Sequence, residues 1–158
     1  MKRLMLLAVL YCLLPGLYAY SVKPTEKIYS APVDASQRAK AHFKANYAHA
    51  VDASWYKLDN KNSMYCIFHQ GKKVERVFYN NRGSWQYTLI SYPPSELDNN
   101  LKDQVLNAFE SYHISYVNEI HSQFNEPVYI FNIDNPNFIK VIRLVGDDIE
   151  VQQSFVKD

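Results

Sequence analysis

The stretch MYCIFHQGKKVERVFYNNRGSWQYTLI, residues 64–90, decides the fold. It holds three apolar and aromatic runs, Met64 to His69, Lys73 to Tyr79 and Ser84 to Ile90. Gln70-Gly71 and Asn80-Asn81-Arg82-Gly83 separate them, residues that favour the backbone of tight turns. In the last run Trp85, Tyr87 and Leu89 alternate with Ser84, Gln86 and Thr88, the period of a strand with two unlike faces. Val51 to Leu58 adds a fourth strand-like stretch before them, across the polar turn Asp59-Asn60-Lys61-Asn62. Short runs joined by short breaks predict an antiparallel meander.

On the N-terminal side, Asp34 followed by Gln37 matches a capping box, in which each side chain satisfies an orphan backbone donor. A helix is expected from there to about Tyr47, with Ala39, Phe43 and Tyr47 on one face. On the C-terminal side the order begins again. Pro93-Pro94-Ser95 interrupts the sheet, Asp98 is placed to cap a second helix, and Leu101, Val105, Ala108 and Phe109 form its apolar stripe. Strand signals return at Ile114 to Ile120, Val128 to Ile133, Phe138 to Leu144 and Ile149 to Phe155. The pattern repeats with a period of roughly 66 residues, giving half-repeats at about 34–90 and 95–158. The expected fold class is α+β: a tandem repeat of one helix plus a four-stranded antiparallel meander, in two antiparallel sheets with the helices on one face.

The N-terminus predicts export. Lys2 and Arg3 precede an apolar run from Leu4 to Leu14, Pro15-Gly16 breaks it, and Ala19 offers a cleavage site, so residues 1–19 are expected to be a signal peptide. The run is shorter than the roughly twenty residues that span a bilayer, so no retained membrane anchor is expected. Residues 20–33, with Pro24 and Pro32, read as an extended leader before a domain at 34–158. The expected location is the periplasm or the exterior.

Of the 17 basic residues, Lys2 and Arg3 leave with the signal peptide, so 15 remain against 16 acidic ones. That balance, with no basic run beyond Lys72-Lys73, speaks against a nucleic-acid partner. Cys12 leaves as well; Cys66 alone remains, so no intramolecular disulfide forms and stability must come from packing. The 13 tyrosines and 8 phenylalanines supply it, because aromatics in strands bury large areas while tyrosine tips reach water.

Trp55, Met64-Tyr65-Cys66-Ile67-Phe68, Gly71-Lys72, Tyr79-Asn80, Gly83-Ser84-Trp85-Gln86-Tyr87-Thr88 and Ser95-Glu96-Leu97 together resemble the beta-lactamase-inhibitor-like, PepSY-like domain family. The resemblance covers about Ala35 to the end. It implies an exported bacterial protein of tandem helix-plus-sheet units. The namesake inhibitor clamps an enzyme with a concave sheet face, and PepSY modules are associated with restraint of peptidases. The chain departs from the namesake in having no disulfide pairs, and no inhibitory contact residue is matched, so inhibition of a beta-lactamase is not carried over.

Candidates for chemistry are few. Cys66 alternates with Met64 and Phe68 on one strand face and reads as a small buried hydrophobe. His42, His49, His69, His113 and His121 follow no ligand spacing, so neither a metal nor another cofactor is expected. Asp147-Asp148 and Asp98-Asn99-Asn100 suit a turn and a helix start. No Gly-x-Ser-x-Gly elbow is present, and no catalytic residue is assigned.

The informative feature is the far side of the sheet. With Met64, Cys66 and Phe68 toward the helix, Tyr65, Ile67 and His69 face away. By the same alternation Val128 and Ile130 face the helix while Tyr129, Phe131 and Ile133 look outward. A one-sided antiparallel sheet normally shows polar residues on its open side. Aromatics and isoleucines there mark a partner surface, and these six residues are the expected partner-binding set. The expected function is a non-catalytic extracytoplasmic binding module for a protein or peptide, inhibitor-like or regulatory. The alternatives are a small-molecule carrier, with a cavity between the sheets lined by Phe68, Phe78 and Phe131, and a small envelope hydrolase with titrating groups converging at His69 or His121.

Overall fold

A computed structural model describes residues 30–58 and 63–157. The signal peptide with Cys12, the leader as far as residue 29 and the turn at Asp59-Asn60-Lys61-Asn62 lie outside the described residues.

The chain runs β1 (Ser30–Pro32), α1 (Gln37–Asn46), β2 (Val51–Leu58), β3 (Met64–Gln70), β4 (Lys73–Tyr79) and β5 (Trp85–Tyr92). A 3-10 turn at Pro94–Glu96 leads to α2 (Asn99–Ala108), β6 (His113–Ser122), β7 (Val128–Asp134), β8 (Phe138–Val145) and β9 (Asp148–Val156). All neighbouring strands pair antiparallel in sequence order, and the sheet does not close into a barrel. The two units of one helix and four strands are therefore present as expected, with β1 added at the edge beside β2. They form one sheet rather than two, because β5 pairs with β6 from Tyr87↔Ser122 to Tyr92↔Val117. Joining the meanders removes two edges whose backbone groups would otherwise be unpaired.

Asp98 caps α2 as its position suggests, accepting a hydrogen bond from the Asn100 backbone N–H at 2.9 Å. The cap of α1 falls two residues later than the capping-box pattern indicates. Ser36 accepts from the Ala39 N–H at 3.3 Å, while Asp34 forms an ion pair with Lys40. Serine and aspartate cap comparably, so backbone entry into the helix decided between them.

Both helices lie on one face. Under α1, Ala39, Phe43 and Tyr47 meet Phe68, Val77, Tyr79, Trp55 and Trp85. Phe43 stands edge-on to Trp55 and Phe68, with centroids 5.5 and 5.6 Å away, favoured geometries for ring pairs. Under α2, Val105, Leu101 and Phe109 pack on Val117, Phe131, Ile133, Ile142 and Leu144.

The second core overturns the expected facing of β7. Phe131 and Ile133 are fully buried against α2, and Tyr129 packs beside them on the same face; none of the three looks outward. The core phenylalanines Phe68 and Phe131 are 63 residues apart, an odd offset. Facing Val128 and Ile130 toward the helix instead puts the alternation one residue out of step, and one residue flips every side chain of a strand.

Candidate functional site

Because both helices cover the same side, no described helix covers the other side of the sheet. Across it runs a row of rings, with Tyr56 paired to Tyr65, Tyr65 to Phe78 and Phe78 to Tyr87. Successive centroids are 5.4, 5.4 and 4.4 Å apart, with interplanar angles of 25°, 26° and 19°. Four stacked rings on four adjacent strands form a stiff platform, each cross-strand pair contributing roughly 0.2–1 kcal/mol. Beside it lies a row containing Ile67, Arg76, Leu89, Ile120 and Val128. The centre of the face is polar: Arg76 donates to Ser91 Oγ at 3.3 Å, and Ser91 donates to Asn118 Oδ1 at 2.8 Å. Apolar surface returns on the second unit, where Tyr116, Ile139 and Phe155 are exposed on the same side.

Tyr65, Ile67 and His69 fall on this face: Tyr65 buried between its ring neighbours, Ile67 half-buried and His69 exposed. Tyr129, Phe131 and Ile133 do not, since they belong to the α2 core. Tyr56, Phe78 and Tyr87 complete the platform and were not among the expected partner-binding residues. Their signal is ambiguous: β2 carries a register irregularity between Val51 and Ser54, β4 is apolar at both parities, and β5 has a bulge opposite Phe78/Tyr79. Phe124 lies in the turn between β6 and β7. It is 93% exposed with φ of +89°, a strained conformation for a bulky residue.

On the helix-covered face the reactive groups are occupied. The Cys66 thiol is fully enclosed, and burial pushes its pKa up to about 12. A thiol so raised has almost no thiolate at neutral pH. Iodoacetamide is therefore expected to label Cys66 only under unfolding conditions; rapid native labelling, read by mass spectrometry, would contradict this packing. His42 stacks on Trp85 with centroids 5.9 Å apart and bonds Tyr79 Oη through Nδ1 at 3.1 Å; burial lowers its pKa. His121 Nε2 donates to Glu119 Oε1 at 2.6 Å. The nearby Thr88 hydroxyl is engaged by Tyr47 Oη at 2.6 Å and by Trp85 Nε1 at 3.1 Å, so the histidine–glutamate pair has no free hydroxyl there to activate. His69, the other hydrolase candidate, is exposed on the uncovered face, away from that pair. Among the described residues no three His, Cys, Asp or Glu side chains gather to hold a metal.

The carrier cavity does not assemble. Phe68 lies under α1, Phe131 under α2, and Phe78 is on the opposite face in the ring platform.

Glu75 is buried on the helix-covered face, and desolvation raises its pKa, with further upward pressure from Glu119. A carboxyl whose folded pKa is raised contributes its stability below the unfolded pKa and loses it as pH rises through the folded value. Glu75→Gln is accordingly expected to melt higher than wild type at pH 7 and level with it near pH 3.5. Equal melting at both pH values would contradict the burial of a charge.

Several solved structures superpose on this open antiparallel sheet with its two helices on one face. A DUF2874 family protein from Bacteroides ovatus matches with a TM-score of 0.63 at 13% identity, over 78% of this chain and 89% of that one. A putative periplasmic protein from Bacteroides eggerthii matches at 0.59 and 13% identity, over 78% and 90%. A BLIP-like protein from Bacteroides fragilis matches at 0.61 and 10% identity, over 78% and 87%. At these identities the likeness is one of fold. No protein-family model matches the sequence, and no curated protein matches it either. No helix of the described residues is long and apolar enough to cross a membrane.

Proposed function

We propose that the protein is a non-catalytic extracytoplasmic binding module, inhibitor-like or regulatory, that takes a protein partner on the uncovered face of its sheet. The observation that carries this is the platform of Tyr56, Tyr65, Phe78 and Tyr87, continued by exposed Tyr116, Ile139 and Phe155 on the same side. Rigid aromatics lose little entropy on contact and dominate binding hot spots. Tyr65 and Phe78 are themselves buried, and the area left in water is that of Tyr87, Tyr116, Ile139 and Phe155, unfavourable by roughly 25 cal/mol per Å². Support also comes from the neighbours in fold, one described as BLIP-like and another as a putative periplasmic protein. The signal-peptide pattern at residues 1–19 fits the same location.

Native mass spectrometry of the tagged chain from residue 20 onward, recovered from envelope extract of the producing cells, tests the class of partner. A single protein bound in stoichiometric amount is the expected result. A bare protein, or one carrying only a small-molecule mass, would overturn the reading.

A further inference from the structure

The two hydrophobic cores are separate, and a polar seam crosses β4, β5 and β6 between them on the helix-covered face. In it Glu75 pairs in register with Ile90, and Ile90 with Glu119. The two glutamates are thus two strand spacings apart, about 10 Å, with the apolar Ile90 between them.

They are held very differently. Glu119 accepts from Tyr92 Oη at 2.8 Å, His121 Nε2 at 2.6 Å and Tyr129 Oη at 3.5 Å. Glu75 is 5% exposed, yet its carboxylate accepts no hydrogen bond from any described residue. Among the described residues no fully enclosed side-chain oxygen or nitrogen lacks a partner, so the Glu75 carboxylate keeps an opening to solvent. A buried carboxylate without hydrogen bonds is costly unless something fills its acceptor positions.

The groups facing Glu75 say what fits. Lys73 approaches from its own strand, His49 from the segment after α1, and Glu119 and His121 from β6. The Lys73 ammonium is already placed over the Tyr92 ring, 4.8 Å from its centroid. Two carboxylates, Glu75 and Glu119, share this one ammonium. Tyr47, Tyr92 and Tyr129 surround it with rings and hydroxyls, and Ile90 offers an apolar floor. Aromatic faces beside carboxylates suit a cation on an apolar stem.

We propose that Glu75 anchors a second site, for a guanidinium or alkylammonium head on an apolar stem, as in a partner's arginine or lysine side chain or a free alkyl amine. The site lies on the opposite side of the sheet from the ring platform and stands independently of it. Lys73 is its internal competitor.

Calorimetric titration of the folded protein with two probes, agmatine and the peptide acetyl-Gly-Arg-Gly-amide, tests the assignment. Saturable binding of at least one probe is expected, weakened at least tenfold in Glu75→Gln and strengthened several-fold in Lys73→Gln. Binding of agmatine alone assigns a free amine, and binding of the peptide assigns a side chain. Both variants replace a charge with an amide of similar size, and native melting curves confirm that each is folded. No saturable binding up to about 10 mM of either probe, or equal affinity in Glu75→Gln, overturns the site whatever the uncovered face binds.

Discussion

Phe131→Ala is expected to destabilise the protein by about 3–5 kcal/mol, the cost of emptying a large aromatic site in a core that relaxes only partly. Phe131 is fully enclosed, paired with Val117 on β6 and Ile142 on β8, in the cluster that Val105 of α2 closes. At roughly 2–4 °C per kcal/mol for a chain of this size, the melting temperature should fall on the order of 10 °C. The same experiment separates the two possible facings of β7. Were Phe131 on the uncovered face, truncation would change stability by a few tenths of a kcal/mol, as at ordinary surface positions. A shift below about 1 °C would therefore return Phe131 to the partner surface.

Gly83→Ala is expected to cost roughly 2–5 kcal/mol, combining backbone strain with overpacking. Gly83 adopts φ of +74°, in the turn where Asn80 Oδ1 accepts from the Arg82 and Ser84 N–H groups at 3.0 Å each. The turn is pressed against the start of α1. A Cβ at Gly83 would lie 2.2 Å from Ser36 Oγ and 3.1 Å from the Ala39 backbone nitrogen. The substitution thus strains the turn and displaces the helix cap together. Gly71 provides the control, since it has a similar φ of +59° and open space where a Cβ would go. Gly71→Ala should cost only the conformational part, about 1 kcal/mol. Equal losses at the two glycines, measured by urea unfolding, would show that contact with α1 does not matter.

The legible parts of the fold were those where local chemistry and tertiary context agree. Gly71 and Gly83 fixed both ends of β4, which appears with its expected limits, Lys73–Tyr79, and β2 likewise spans the expected Val51–Leu58. Asp98 caps α2 ahead of its neighbours Asn99 and Asn100, whereas Asp34 competed with Ser36 and yielded to it. What the sequence left undetermined was facing. Along β7, Val128 and Ile130 are as hydrophobic as Tyr129, Phe131 and Ile133, so alternation alone cannot choose a side. The choice was made by pairing, through Val117↔Phe131, after the irregularity between Ile114 and Tyr116. The ring platform was hidden for a related reason. Its four members come from four strands, and only the registers Tyr56↔Tyr65, Tyr65↔Phe78 and Phe78↔Tyr87 bring them into one row. Half of the expected binding set, Tyr65, Ile67 and His69, is therefore on the uncovered face, while the other half builds the core.

The most direct test of partner binding through the uncovered face compares capture by wild type, by Tyr56→Ser/Tyr87→Ser, and by Val151→Ser. Tyr56 and Tyr87 are the two ends of the platform, where truncation opens no enclosed cavity. Val151 is an exposed hydrophobic residue opposite Ile142, on the helix-covered side near the far edge. The double variant is expected to retain the native melting transition but to lose at least tenfold in partner affinity, about 1.4 kcal/mol or more, while Val151→Ser binds as wild type does. Undiminished capture by the double variant, with loss in Val151→Ser, would contradict this and move the binding surface to the other side of the sheet.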